Sequence, residues 1–282
     1  MHVKVSGQYD GQRLDNFLIR TLKNVPKSRI YNLIRKGEIR INKGRCKADS
    51  RLAMDDIIRI PPIRSIRNNE NPVVSNSLKK YISENILFED KDLLVFNKPS
   101  GLAVHGGSGI SMGVIEAFRS LRKSDEYLEL AHRIDRDTSG CLVIALRKSF
   151  LRKLHSEIRN KQVDKIYDLI AFGDWPEDLN LIDEPLSKKQ SISGEKEAFV
   201  EQKGKTSITE FKLIKKHKGL SHLKARIITG RMHQIRAHAK FKGFPIVGDR
   251  KYGDALLNKG IKNVNLNRML LHATSIRFKN LD

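Results

Sequence analysis

Residues 130 to 146 read LAHRIDRDTSGCLVIAL. A charged stretch of alternating sign, HRIDRD, drops through Thr138, Ser139 and Gly140 into a largely apolar run. A short apolar run bounded by turn formers reads as a buried strand, so carboxylates and guanidiniums stand at the lip of a sheet. The surrounding segments decide what kind of sheet. Upstream, ILFEDKDLLVFNKPSGLAVHGG carries two β-prone runs about a polar EDKD, the pattern of a hairpin. A loop holding Pro99, Gly101, Gly106 and Gly107 follows. Residues 113 to 122 set Val114, Ala117, Phe118 and Leu121 on one side of a helix. Downstream, a helix is expected over SFLRKLHSEIRN and a strand over KQVDKIYDLIAFG. That strand places Lys165, Tyr167 and Leu169 on one face and Ile166, Asp168 and Ile170 on the other. TSITEFKLIKK and SHLKARIITGR read as further strands, and MHQIRAHAKFKG as a helix stopped by Gly243. Strands outnumber helices and show no regular βαβ rhythm. The fold class is therefore α+β, with a mixed, largely antiparallel sheet and flanking helices.

A smaller unit lies in front. In RLDNFLIRTL, Leu14, Phe17, Leu18, Thr21 and Leu22 fall on helical spacing. VPKSRIYNLIRKGEI offers Ser28 as N-cap, Ile30, Leu33 and Ile34 as the apolar stripe, and Gly37 as the stop. Lys27, Arg29, Arg35 and Lys36 then point outward. EIRIN alternates with Ile39 and Ile41 inward, NKG turns, and DDIIRIPP closes the unit as a strand ended by prolines. From Ile63 to Ser83 the chain is polar and without period, a linker by composition. The expected division is a small domain over 1–62, a linker over 63–84 and a larger domain over 85–282.

The charge balance names the class of partner. Lys and Arg number 54 against 32 Asp and Glu in 282 residues, a net +22, which is the footprint of a polyanion partner. Apolar runs such as CLVIAL are far too short to span a membrane. The start, MHVKVSGQYD, has no apolar core of a signal peptide, so a cytoplasmic location is expected. Cys46 and Cys141 fall in neither a paired motif nor zinc spacing and are expected to be reduced thiols.

Asp135 and Asp137 are close enough in sequence to share a metal, but no further Asp, Glu or His sits at ligand spacing, and no metal site is expected. Asp137, Thr138 and Ser139 are good turn and cap formers. Asp135 lies between Arg133 and Arg136 just before the buried strand, where cationic neighbours are expected to hold it ionised. A nucleophile or base requires that state. HGGSG matches neither GxxxxGKS/T nor GxGxxG, and no GxSxG elbow occurs, which sets aside nucleotide hydrolysis and Ser-His-Asp chemistry.

Residues 13 to 60 resemble an S4 RNA-binding domain. HRIDRDTSG closely resembles the central motif of the RluA-type pseudouridine synthases, and KPSGLAVHGG is similar to the loop that precedes it. KIY at 165 to 167 resembles the family's substrate-facing strand, and ITGRMHQIRAHAKFKGFPIVGDRKYG its third motif. With the S4 module in front, the similarity covers nearly the whole chain. It is closest to the RluC type, which acts on large-subunit (23S) ribosomal RNA. The resemblance implies a cofactor-free catalytic domain that isomerises uridine to pseudouridine. The N-glycosidic bond is cut, the uracil turns in place, and a carbon–carbon bond forms. It implies Asp135 as the catalytic carboxylate, Tyr167 as the ring that stacks on uracil near the proton leaving C5, and Arg236 as the basic partner of Asp135. Arg133 falls where family members push an arginine into the RNA in place of the flipped base, and Arg231 is a further RNA contact. The S4 module would present Lys27, Arg29, Arg35 and Lys36 to phosphates. Flipping is expected because the reacting bond of a stacked nucleotide is inaccessible. The expected partner is 23S rRNA or a large-subunit assembly intermediate, and the expected state a monomer.

Departures from the family pattern are Leu169, where a small residue is common, and Met232, where Thr or Ser is more usual. LLHATSIRFKNLD stands where related proteins usually continue through another strand, so either a naturally short chain or a missing last sheet pairing is expected. Two other function classes stay open: an S4-bearing assembly factor that binds RNA without turnover, and a hydrolase that releases free uracil.

Overall fold

The computed structural model describes residues 1–22, 25–63, 74–106, 112–122, 126–190, 196–261 and 266–281. Chain contacts divide it into two units, Met1–Asn71 and Pro72–Asp282.

The front unit contains β1 (His2–Lys4), α1 (Leu14–Thr21), α2 (Lys27–Arg35), β2 (Arg40–Ile41), β3 (Gly44–Arg45) and β4 (Ile57–Arg59). Its antiparallel sheet runs β1-β4-β2-β3. The helical stripes do bury: Leu14, Phe17 and Leu18 of α1 pack with Ile30, Leu33 and Ile34 of α2 over Ile39, Leu52 and Ile58. Asp15 locks the pair of helices together, taking Arg13 through both its oxygens (2.7 and 3.1 Å) and the Tyr31 hydroxyl at 3.1 Å. Ser28 is not the N-cap. The Pro26 carbonyl accepts from the N–H groups of Arg29 and Ile30, so α2 starts at Lys27 and Ser28 falls inside the first turn. Gly37, with φ +71, ends it in the left-handed conformation that glycine adopts without strain.

Of the expected linker, 64–73 lies outside the described residues, and 74–84 is not a linker. The Ser75 hydroxyl accepts from the Leu78 N–H at 3.2 Å and caps α3 (Asn76–Glu84). Leu78, Tyr81 and Ile82 of this helix pack on the main core. A one-stripe helix of nine residues is easily masked by the Ser, Asn and Lys around it.

The second unit continues with β5 (Ile86–Glu89), β6 (Leu93–Lys98), α4 (Val114–Leu121), β7 (Glu129–Leu130), β8 (Ser139–Ala145), α5 (Lys148–Arg159) and β9 (Val163–Phe172). After these come β10 (Leu181–Asp183), β11 (Leu186–Gln190), β12 (Lys196–Val200), β13 (Ile208–His217), β14 (Leu220–Ile227), α6 (Gln234–Phe241), α7 (Ala255–Gly260) and β15 (Leu271–Phe278). Among the described residues the main sheet runs β10-β13-β14-β9-β15-β8-β6-β5, with β7 also on β8, while β11 and β12 form a separate ribbon. All pairings are antiparallel except β15 on β8. The sheet is thus mixed and largely antiparallel, in an α+β fold. The stretch LLHATSIRF finds partners on both sides. β15 lies inside the sheet, between β9 (Leu271 opposite Leu169 through Phe278 opposite Val163) and β8 (His272 opposite Ser139). Gly140 makes this possible: its φ is +110, and a Cβ there would overlap the Ala273 carbonyl. Among the described residues no helix is long and apolar enough to cross a membrane.

Candidate active site

The HRIDRD segment is the turn from β7 into β8, and a buried lysine holds it in place. Lys98, fully buried at the end of β6, donates to the carbonyls of Pro99, Leu102 and Arg136, each at 2.8 Å. Gly101 N–H also donates to the Arg136 carbonyl (2.9 Å), and the Ser100 hydroxyl to that of Asp137 (2.6 Å). Burial pulls the Lys98 ammonium down to about 7, against the charges of Asp137 and Asp135. Three carbonyl acceptors match the three N–H groups of an ammonium and exceed the two of an amine, so the pocket binds the charged form. The KPSG loop and the turn are thereby one clasped piece at the ends of two interior strands, β6 and β8.

A cleft of about 820 Å³ opens beside that piece, and Asp135, Tyr167 and Arg236 all line it. Arg236 Nη1 stands 3.4 Å from Asp135 Oδ2. It is not the solvated charge of an amphipathic helix. Residues Gln234 through Ala239 of α6 are all buried, and Arg236 is 4% exposed. Its other edge is bound at both nitrogens by Asp249, Nε at 2.7 Å and Nη2 at 2.8 Å, while its face lies 4.8 Å from the Tyr252 ring centre. Burial works against this charge, yet the Asp249 hydrogen bonds and the charges of Asp249 and Asp135 push the Arg236 pKa further up. Burial would raise Asp249, but Arg236 and the N–H groups of Tyr252 and Lys251 hold its carboxyl below the usual range. The fork of Arg236 is fixed by one carboxylate so that its remaining edge faces another.

A second donor faces Asp135. His233 Nε2 lies 3.9 Å from Oδ1, and its Nδ1 is 2.9 Å from the Tyr252 hydroxyl. That hydroxyl already accepts from Ala198 N–H at 2.6 Å. Among the described residues, Nδ1 is the one acceptor left for its proton. Neutral His233, assigned from these partners, then carries its hydrogen on Nε2, toward Asp135. Burial lowers the His233 pKa and favours that neutral form. The residue adopts φ +51 at the start of α6, a left-handed conformation that is costly for a side chain and collects at functional sites.

Tyr167 stands on β9 between Ala225 of β14 and Ala273 of β15. Two alanines in register leave space for a ring on that face. Burial and the Asp135 charge raise its pKa well above that of a free phenol, so it presents a neutral ring and a hydroxyl. Lys165, two residues earlier on the same face, also lines the cleft, its pKa lowered by burial. Among the described residues Asp137 makes no capping hydrogen bond: it pairs with the Arg136 guanidinium at 3.1 Å, and the turn closes through backbone, Thr138 N–H to the Asp135 carbonyl at 3.2 Å. Arg133 and Arg231 are exposed on the cleft wall; Arg231 donates to the Thr206 carbonyl at 3.0 Å. Lys27, Arg29, Arg35 and Lys36 are all exposed, in the front unit.

Residues 92–241 match the family model described as RNA pseudouridylate synthase, and residues 12–58 match the S4 domain. The chain belongs to the RNA pseudouridylate synthase family. Among named synthases it is similar to the ribosomal large subunit pseudouridine synthase C of Haemophilus ducreyi, with 49% identity over 98% of this chain and 86% of that protein. The protein of the same name from Escherichia coli is 44% identical over 98% of this chain and 88% of its own length. A solved structure, human RNA pseudouridylate synthase domain containing 4, superposes with a TM-score of 0.57 at 26% identity, covering 71% of this chain and 86% of that one.

Sequence reasoning passed over three residues that shape the synthase cleft. Lys98 was visible as a lysine closing an apolar strand, where a charge needs a partner. His233 and Asp249 lie within the third motif, but no spacing rule marks a left-handed histidine or the carboxylate that a buried arginine requires.

Proposed function

We propose that this synthase isomerises uridine to pseudouridine in large-subunit (23S) ribosomal RNA, without a cofactor, as a cytoplasmic monomer. Residues 1–62 serve as the RNA-binding module and 85–282 as the catalytic domain. The observation that carries the reading is Asp135 held at 3.4 Å by an Arg236 whose other edge is already taken by Asp249. A carboxylate aimed this way suits either attack on the ribose or removal of a proton from it. The target uridine flips out of its stack to reach it. Uracil then lies on the neutral Tyr167 ring, which can stack and donate a hydrogen bond but is no resident base. Arg133, exposed at the cleft wall, fills the gap left in the RNA, and Arg231 contacts the backbone. The large-subunit substrate follows the names of the relatives, which match over 98% of the chain.

The test is tritium release from a large-subunit rRNA transcript labelled at uridine C5, followed by nucleoside analysis. Release with pseudouridine as product supports the reading, while free uracil that still carries the label, with no tritium released to water, identifies a hydrolase. Folded protein that binds the transcript and releases nothing would leave an RNA-binding assembly factor.

A further inference from the structure

A second cavity, of about 1290 Å³, opens on the other side of the catalytic turn. Asp135 lines the cleft and Asp137 lines this basin, whereas Arg136, Lys196, His233 and Arg236 border both. Two carboxylates two residues apart therefore face separate spaces. Nothing in the isomerisation accounts for the basin's rim. Lys196, Arg250 and Arg268 stand there exposed, and among the described residues none of them has a carboxylate within salt-bridge distance. The acids on the same wall are already taken, Asp137 by Arg136 at 3.1 Å and Glu197 by Lys189 at 3.3 Å. Arg268 is anchored rather than loose. One nitrogen donates to the Ser139 hydroxyl at 2.9 Å, and that hydroxyl is bonded in turn to His272 Nδ1 at 2.9 Å. Unpaired cations around one concavity repel each other in the free protein and are relieved by a polyanion.

We propose that this basin holds the phosphate backbone of the substrate RNA beside the flipped uridine, with Lys196, Arg250 and Arg268 as the phosphate contacts. The proposal rests on the cleft being the uridine site. A nucleotide seated against Asp135 and Tyr167 is joined covalently to its neighbours, and its chain leaves across the border that cleft and basin share. Phosphate contacts fix register and orientation without reading bases. The basin thus sets which nucleotide is brought to Asp135, a task separate from the chemistry done on it.

The experiment uses the full-length protein and a tritium-labelled large-subunit rRNA fragment. Kd is measured over a salt series, with kcat and KM at fixed salt. The variant is K196Q/R250Q/R268Q, and a control of equal charge change is K212Q/K215Q/K216Q on β13. Three lost phosphate contacts reduce the slope of log K against log salt by about 2 to 3. KM rises roughly tenfold or more, and kcat stays within about twofold, because contacts made equally in ground and transition states act on KM. A slope and KM like those of wild type, or changes matched by the control, overturn the proposal. Because Arg268 is bonded to Ser139, the double variant K196Q/R250Q guards against a folding defect, and its slope falls by about 1.5. Wild-type protein that releases no tritium overturns the reading of the cleft, while the slope still decides whether RNA occupies the basin.

Discussion

On α2 and its C-cap, Lys27, Arg29, Arg35 and Lys36 are exposed, and among the described residues no carboxylate stands within salt-bridge distance of any of them. On α6, Arg236 is 4% exposed and faces two carboxylates. Both helices carry cations that the proposed function assigns to RNA, yet the physics differs. An exposed, unpaired cation contributes a share of affinity that is screened by salt and nearly interchangeable with its neighbours. A buried, forked arginine has given up its hydration and depends on each partner. Distributed charge tolerates substitution, and positioned charge does not.

The largest effect that could break this distinction is at Asp135. Asp135→Asn keeps the size and removes the charge, so turnover measured by tritium release should fall by about 10³-fold or more, with RNA affinity within about threefold. Appreciable product from that variant would show that Asp135 is one more holding charge. Next is Asp249→Asn, which strips a buried guanidinium of its counter-charge. Urea unfolding should show a loss of about 3 to 5 kcal/mol, together with lower kcat. The sign with pH follows from the depressed Asp249 carboxyl. Its contribution is fully present above the unfolded value of about 3.9 and is lost as pH falls through the lower folded value. The penalty of the variant should therefore be flat from pH 5 to pH 8. A penalty below about 1 kcal/mol would place this pair among surface pairs.

The counterpart on α2 is the quadruple variant K27Q/R29Q/R35Q/K36Q. Its binding isotherms should lose about 0.7 to 0.9 of salt slope for each phosphate contact removed. Stability should stay within about 0.5 kcal/mol per position, and kcat on a short saturating RNA should not change. An unchanged slope would make these cations a solvated face. The smallest effect sharpens the comparison from the other side. Asp164 and Arg226 pair at 2.6 Å with side chains 24% and 36% exposed, so Asp164→Asn should cost only about 0.2 to 1 kcal/mol. The bond is short there too, but Asp249 is buried and also held by two backbone N–H groups.

The same contrast explains what could be read in the sequence. The front unit was legible because its stripes, Leu14, Phe17 and Leu18 on one helix and Ile30, Leu33 and Ile34 on the next, are local periodicities. The strand nature of 139–145 was legible from its apolar run, and that of 163–172 from alternation. Helix α3 was not, since Leu78, Tyr81 and Ile82 form a single short stripe among polar residues. The Ser28 cap failed because Pro26, two residues earlier, already supplied the carbonyl that starts the helix. Motif resemblance led to Asp135, Tyr167 and Arg236, and the structure brings those three to one cleft. What holds them was hidden. The clasp of Lys98, the fork partner Asp249 and the backbone of His233 depend on burial and on contacts between distant segments, which no periodicity records.

The place of β15 inside the sheet has a consequence for synthesis. Ser139 and its bonded partner His272 are 133 residues apart in the chain. At roughly 5 to 20 residues per second, β8 waits about 7 to 27 s on the ribosome before the strand that lies between it and β9 exists. Until then the facing edges of both strands have unpaired N–H and C=O groups, the templates on which wrong partners add. The cleft shares that fate, because Tyr167 meets Ala273 only when β15 slots in. A growing chain therefore carries every residue of the proposed reaction well before it carries the strand that sets them in place.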